Sequence, residues 1–264
     1  MALESSSDDL LRSGDLEGAR ASLIEAVKRA PADEATRMFL WQLMAVSGEW
    51  DKAAVQLRAL AQMSAEAQML ATVYSQAITA EKTRAEAYGG RAAFSVLVSS
   101  SPWIDILARG LTALAAGLED EGGQLRDQAF DAVGDAPGQI DGEAFAWIAD
   151  ADPRLGPCFE AIVAGRWGLV PFEAVSRIKT EGPKDLRDVV WLPVEMMLRS
   201  GQSAAALLPA RYPGSETLSA GVRLGRETLW DAGADHDQPA GQRVWTTDSG
   251  AEIGLLDFRE LNML

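Results

Sequence analysis

The feature that most constrains this chain is a short pattern that occurs twice near its N-terminus, 34 residues apart. The copies begin at Gly14 and Gly48, and in both an acidic and an apolar residue follow before alanine and leucine recur at matching positions. A period of about 34 residues is typical of tetratricopeptide helix pairs. Such pairs stack on their neighbours and leave a concave surface that usually holds a peptide. The repeat therefore favours a binding protein over an enzyme.

Helical spacing of apolar residues continues through the first half of the chain. Glycine and proline mark the helix ends. The pattern predicts helices that end at Gly14, Pro31, Gly48 and near Ala61, a longer helix from about Ala65 to Tyr88, a helix opened by Pro102, and a last one from Leu118 to Val133. Gly117 lies 69 residues after Gly48, which fits a diverged third pair after an insertion.

The residue pattern changes after Gly134, where β-branched and aromatic residues form short runs bounded by glycine and proline. The runs predict strands at residues 166–170, 174–178, 189–197, 243–247 and 252–256, and a helix at residues 153–164. We therefore expect an α+β, two-domain protein. A tetratricopeptide-like α-α superhelix would occupy residues 1–134, and a smaller mixed α+β domain with short antiparallel strands would occupy residues 135–264.

Net charge and composition restrict which partners the protein can bind and in which compartment it is expected. The formal net charge of −15 repels nucleic-acid phosphates and anionic lipids, so neither is an expected partner. The longest apolar stretch, residues 110–118, is about half of a membrane span, and residues 1–9 show no signal-peptide pattern. The single cysteine, Cys158, has apolar neighbours and fits a buried thiol in a reducing compartment. We expect a cytoplasmic protein.

Catalytic motifs are missing from the sequence. It contains no HExxH, GxSxG, paired CxxC or phosphate-binding GxxxxGK[ST] pattern, and its one histidine, His236, lies in an acidic stretch. We therefore expect no enzymatic activity and no cofactor. If ATP serves this protein's role, a partner must hydrolyse it.

The best remaining candidate for a chemical site is a group of four carboxylates, Asp141, Glu143, Asp150 and Asp152. They could ligate a hard cation or act as an acid/base pair, which leaves a hydrolase as the enzymatic alternative. The structural interpretation is favoured, because Arg154 could neutralise Asp150 or Asp152. Asp152 also precedes a proline, as an N-cap residue of the predicted helix would.

Four aromatic residues of the second half have two interpretations. Trp147, Trp167, Phe172 and Trp191 could form a ligand platform, but aromatic rings in such elements more often belong to the core. The string that runs from Arg211 to Glu216 contains a Tyr-Pro-Gly turn, so an architectural role is expected for it.

Several segments of the second half together resemble the ImpE family, also called TagJ or SciE. They are residues 140–152, 154–157, 165–167, 170–172, 185–188 and 211–216. With the upstream repeats, the resemblance covers nearly the whole chain.

The resemblance implies an accessory protein of the type VI secretion system. Family members are associated with the small subunit of the contractile sheath, whose N-terminal helical segment they are thought to bind. Through that subunit they are associated with the ClpV ATPase, which recycles contracted sheath. Without the resemblance, the residues predict only a peptide-binding helical array joined to a second domain. A chaperone or scaffold for another assembly therefore remains an alternative.

The repeat pattern also predicts which residues would hold a partner. The first helix of each stacked pair lines the concave face, and the methionine would give an adaptable apolar floor for a partner helix. The candidate partner-binding residues are Ala35, Met38, Gln42, Ala45 and Val46. The competing interpretation is that the helix at residues 65–88 covers this face.

Overall fold

The structure is a computed structural model that describes residues 6–230 and 238–264. Helices fill the first half of these residues and strands fill most of the second. The α-helices are α1 (Ser7–Ser13), α2 (Leu16–Arg29), α3 (Glu34–Val46), α4 (Trp50–Leu60), α5 (Ala65–Tyr88), α6 (Pro102–Ala115), α7 (Glu119–Asp131) and the short α8 (Ala220–Arg223). None of the described helices combines the length and hydrophobicity that a bilayer crossing needs.

Within the two described ranges, the strands form three antiparallel sheets. They are β1 (Gly138–Ile140), β2 (Glu143–Phe145), β3 (Ile148–Asp150), β4 (Cys158–Val163), β5 (Arg166–Pro171), β6 (Val175–Lys179), β7 (Trp191–Leu198), β8 (Ser203–Pro209), β9 (Thr228–Leu229), β10 (Ala240–Gly241), β11 (Val244–Thr247), β12 (Glu252–Gly254) and β13 (Glu260–Met263). The large sheet has the order β2-β1-β13-β6-β7-β8-β4-β5, and the smaller ones are β12-β11-β3 and β10-β9. The chain is therefore an α+β protein, as predicted.

Three helix–helix turns share one backbone geometry. Gly14, Gly48 and Gly117 have φ values of 84°, 67° and 78°, in the left-handed region that favours glycine. In each turn the residue after the glycine donates its amide to the carbonyl five positions earlier. This is the Schellman arrangement, which satisfies the last carbonyls of a helix. The repeated glycines of the sequence therefore have a conformational cause.

The helix predicted at residues 153–164 is wrong. Residues 153–157 form turns, and β4 follows at Cys158–Val163. Both faces of this strand are covered, because Cys158 packs into one hydrophobic cluster and Phe159 into another. A strand buried on both sides shows no alternation of polar and apolar residues, so its pattern cannot be told from that of a buried helix. The five predicted strands are present with slightly shifted ends.

One hydrophobic cluster runs through both halves of the chain. It joins side chains of α2 to α6 with Leu155, Ile162, Trp167 and Trp191 of the second half. A second cluster, centred on aromatic rings such as Trp245, fills the opposite face of the large sheet. The large sheet therefore lies between the helices and the small sheet β12-β11-β3. The two-domain division at residue 134 stays a prediction, since the first cluster crosses it.

The outer edge of β5 is covered by the segment that precedes α6. The Leu97 amide donates to the Leu169 carbonyl at 2.9 Å, and the Leu169 amide donates to the Ser95 carbonyl at 2.8 Å. The resulting bridge is parallel. Because exposed strand edges pair readily with other chains, this cover protects one end of the sheet and fixes the segment beside α6.

The turn at Gly48 generates a stability prediction. A Cβ there would lie 2.6 Å from Cγ and 2.8 Å from Cβ of Glu216, whereas at Gly117 it would meet no atom within 4 Å. Gly117→Ala should therefore cost only the left-handed strain, about 1–2 kcal/mol. Gly48→Ala should cost at least about 1 kcal/mol more, through the added clash. Urea denaturation measures both; equal losses would contradict the packing of Glu216 on this turn.

Candidate functional site

The structure closes much of the face predicted on α3. Gln42, Ala45 and Val46 are buried, while Met38 is half-buried and Ala35 is exposed. The first three therefore cannot line an open groove in this structure. Only the N-terminal end of the predicted surface reaches solvent.

The cover over α3 comes from the second half of the chain. The 3₁₀ helix Leu186–Val189 packs on α3, and the Arg187 amide donates to Oε1 of Gln42 at 3.1 Å. Nη1 of Arg211 donates to the Val46 carbonyl at 2.9 Å. The competing interpretation named the helix at residues 65–88 as the cover. Tyr74 of that helix does contact Trp41 of α3, with ring centroids 5.2 Å apart. Residues far along the chain complete the cover, which local periodicity does not reveal.

A buried ion network holds the two halves together, and Glu160 of β4 is its centre. Nε and Nη2 of Arg84, on α5, donate to its two oxygens at 2.8 and 3.0 Å. Nε1 of Trp167 donates at 2.8 Å, and Nη2 of Arg243 also donates. Burial alone raises the pKa of Glu160, but the charges of Arg84 and Arg243 outweigh it and lower the pKa to about 2. Glu160 is therefore ionised at neutral pH.

Asp150 of β3 forms the other end of the network. Nη1 of Arg243 donates to its Oδ2 at 2.6 Å, and the Asp152 amide donates to its Oδ1 at 2.9 Å. Burial raises the pKa of Asp150 to about 6, although the charge of Arg243 opposes this rise. Arg243 itself is 1% exposed and bridges Asp150 to Glu160. The arrangement joins β3, β4 and α5 electrostatically.

Two of the other candidate carboxylates, Asp152 and Asp141, have separate structural partners, and Glu143 is exposed. Asp152 is buried and pairs with Arg154, as one interpretation of the sequence expected, with Nη2 to Oδ2 at 2.6 Å. Asp141 accepts the amides of Arg259 and Glu260 at 2.9 and 2.8 Å. Within the described ranges no group of three His, Cys, Asp or Glu side chains is placed to hold a metal ion.

The structure describes one of the two candidates for nucleophile or base chemistry. Cys158 is buried, as predicted, and burial raises its pKa well above the ordinary value of a thiol. A thiol of this kind is unreactive. His236 lies outside the described residues.

The string from Arg211 to Glu216 has the architectural role predicted for it. Arg211 binds α3 as described above, and the Tyr212 hydroxyl donates to the Val244 carbonyl at 3.3 Å. The Ser215 hydroxyl accepts the Gly241 amide at 2.8 Å. These bonds connect the helices to the edge of β10 and β11.

The aromatic residues divide between core and surface. Trp167, Phe172 and Trp191 are each at most 3% exposed, so the core interpretation is confirmed for them. Trp191 packs between Trp50 and Tyr74, with ring centroids 5.7 Å from both. Trp147 is 45% exposed, so for this residue the core interpretation is wrong.

An open groove of about 890 Å³ lies along α6 and α7, and we call it the α6–α7 groove. Its third wall is the segment at residues 93–96 that covers β5. Its lining includes Asp105, Ala108, Arg109, Thr112 and Ala113 of α6, Ala116 and Leu118 between the helices, and Glu121, Gln124, Leu125 and Gln128 of α7. These positions recur at intervals of three and four residues, so each helix contributes one face.

The chemistry of the α6–α7 groove suits an amphipathic helix. Its apolar lining consists of four alanines with Phe94, Val96, Leu118 and Leu125, and small side chains allow a partner backbone to approach closely. On α6, Asp105 and Arg109 add one charge of each sign. Leu118 is 53% exposed at its rim. The first turn of α7 adds Glu119, Asp120 and Glu121, so this end is acidic. Sequence reasoning missed the groove, although small residues on the polar face of α6 were a signal for it.

Comparison with known proteins identifies the class of protein. The family model described as ImpE protein matches residues 142–262. A curated relative is 43% identical over 258 residues, covering 97% of this chain and 90% of its own length. The chain therefore belongs to the ImpE family, as the resemblance of its sequence indicated.

The relatives carry more particular descriptions. The 43% identical protein is the type VI secretion system accessory component TagJ of Pseudomonas aeruginosa. The crystal structure of protein VPA1032 from Vibrio parahaemolyticus superimposes with a TM-score of 0.85 at 24% identity, covering 98% of this chain and 97% of the other. The second match establishes that the two chains share the fold.

The ion network predicts a large effect of one substitution. Glu160→Gln removes the carboxylate that Arg84 and Arg243 share and leaves only Glu81 and Asp150 to neutralise them, so the free energy of unfolding should fall by about 3–5 kcal/mol. Glu143→Gln, at an exposed position of β2, is the matched control and should change it by less than about 0.5 kcal/mol. Urea denaturation at pH 7 measures both, and similar small changes would contradict a central role of Glu160.

The stability difference between the parent protein and Glu160→Gln should depend on pH. The folded-state pKa of Glu160, about 2, lies below the ordinary glutamate value of 4.5. The stability it contributes is therefore fully present above pH 4.5 and is lost as the pH falls towards 2. The difference between the parent protein and Glu160→Gln should shrink across that window. A difference that is constant from pH 7 to pH 2.5 would contradict the lowered pKa.

Proposed function

We propose that this chain is a non-enzymatic accessory protein of the type VI secretion system and acts in the cytoplasm. The support is its membership of the ImpE family and its 43% identity to TagJ along almost its whole length. The positions of three of the four candidate carboxylates agree with this proposal, because Asp141, Asp150 and Asp152 each hold parts of the chain together.

The partner that we propose is the small subunit of the contractile sheath, bound through its N-terminal helical segment. The observation that carries this step is the α6–α7 groove, an open trough with an apolar floor and an acidic end. A helix would lay its apolar face on Leu118 and Leu125 and direct basic residues towards Glu121. The net charge of −15 would steer such a segment, so association should slow as salt is added.

We further propose that the bound sheath subunit links this protein to the ClpV ATPase. The sequence has no phosphate-binding loop, so the energy of ATP must enter through a partner. Purified ClpV should therefore be retained on the immobilised protein only when the sheath subunit is present. Direct retention without that subunit would contradict an indirect link.

Helices α1 to α4 are, in this proposal, two copies of a tetratricopeptide-like unit. The support is the 34-residue offset and the matching turns at Gly14 and Gly48. Since Gln42, Ala45 and Val46 are covered by the second half of the chain, these units would serve as a scaffold. The partner would then bind on α6 and α7.

Leu118→Glu tests the groove. It places a carboxylate beside the acidic first turn of α7 and removes an apolar contact, so affinity for the sheath segment should fall at least about tenfold. Leu229→Glu is the matched control, because Leu229 is 40% exposed and lies outside the groove. Fluorescence anisotropy with a labelled peptide of the cognate sheath segment measures binding.

Two outcomes would contradict this location. Equal affinities of the parent, Leu118→Glu and Leu229→Glu proteins would remove the groove from the binding site. Loss of binding in Met38→Glu, with Leu118→Glu unaffected and both proteins folded by circular dichroism, would place the partner at the exposed end of α3.

A further inference from the structure

A second concave site lies where the end of α7 meets β3, and its walls differ from those of the α6–α7 groove. It encloses about 250 Å³, and we call it the Trp147 pocket. Its walls include Trp103, Phe130, Val133, Trp147, Pro157 and Glu173. It shares no lining residue with the α6–α7 groove. The volume is below the roughly 300–1,000 Å³ of usual cofactor and ligand sites, so it suits one side chain.

Trp147 is placed for recognition and not for packing. It lies in the connection between β2 and β3, where the Ala146 amide donates to Oδ1 of Asp248 at 2.8 Å and so fixes the backbone. Its side chain is nonetheless 45% exposed. An exposed tryptophan on a fixed backbone offers a ring face at little entropic cost.

Glu173 is the one charged residue among the residues that line the Trp147 pocket. Its Oε1 accepts Nε1 of Trp103 at 3.0 Å and the Ser100 hydroxyl at 3.3 Å. Across the described ranges, no hydrogen bond reaches its Oε2 and no cationic side chain pairs with its carboxylate. Arg199 donates at 2.7 Å to the backbone carbonyl of Glu173 instead. The carboxylate is thus oriented by two donors and keeps one oxygen free.

We propose that the Trp147 pocket binds a lysine or arginine side chain presented by a partner polypeptide. Aromatic walls attract a cation through the ring quadrupole and also pack against its aliphatic stem. The free oxygen of Glu173 supplies a charge-assisted hydrogen bond. A neutral apolar side chain would leave this carboxylate desolvated and unpaired, which selects against it. The net charge of −15 also favours a basic partner.

The test uses capped amino acids as probes: the N-acetyl methylamides of lysine, arginine and norleucine. Norleucine has the lysine stem without its charge. Indole N–H signals of the ¹⁵N-labelled protein report binding, and loss of one signal in Trp147→Phe assigns Trp147. The cationic probes should shift the Trp147 and Trp103 signals saturably, and norleucine should not.

Variants then test the two recognition elements. Glu173→Gln keeps an oxygen that can accept the hydrogen bond from Trp103 but removes the negative charge. The cationic probes should therefore bind at least about fivefold more weakly. Trp147→Ala should show a similar loss when the Trp103 signal is followed. Trp230→Ala is the matched control, because Trp230 is 44% exposed and lies outside the pocket; its affinity should be unchanged.

Three results would overturn the proposal. They are equal shifts with norleucine and the cationic probes, no shift with any probe, and unchanged affinity in Glu173→Gln. The outcome is independent of the sheath proposal, because Leu118→Glu should leave probe binding intact. Failure of the peptide experiment in the groove would likewise leave this test unaffected.

Discussion

The rest of the structure depends on the buried carboxylate of Glu160 and the two arginines that neutralise it. Arg84 arrives from the long helix α5, and Arg243 arrives from the segment before β11. Removing three charges from water is costly, so such a group is stable only when its hydrogen bonds are satisfied. Trp167, Asp150 and Glu81 meet this requirement. The network therefore fixes how the sheet sits on the helices.

That fixed arrangement determines which surfaces a partner can reach. With the sheet docked on the helices, Arg187 and Arg211 reach α3 and bury its C-terminal end. The α6–α7 groove lies outside this contact and keeps its apolar floor open. In the proposed function, α1 to α4 therefore act as a support, and the partner binds at α6 and α7 instead of on α3.

The sequence predicted the helices well because their signals are local. Apolar periodicity and caps gave α5 its observed limits, Ala65–Tyr88, where the Ser64 side chain accepts the Ala67 amide. Strand β4 was mistaken for a helix because burial on both faces removes alternation. The alanine-rich β8 was missed for a related reason, since alanine favours helices and its place in the sheet is set by β7 and β4.

The candidate site was harder to predict because it depends on contacts between distant residues. Gln42 and Arg187 are 145 positions apart, and no local pattern shows that one covers the other. Trp147 was assigned to the core because tryptophans in such segments are usually buried. For Asp152, the predicted ion pair with Arg154 is present. Its predicted N-cap role is wrong, because no helix begins at residue 153.

Hydrogen–deuterium exchange on the complex with the cognate sheath segment tests the central claim most directly. The account predicts that binding slows amide exchange along α6, α7 and residues 93–96, and leaves α3 and residues 186–189 unchanged. Slower exchange in α3, together with faster exchange at residues 186–189, would show that the second half moves off α3 and lets the partner bind there. That result would contradict a sheet locked on the helices by Glu160.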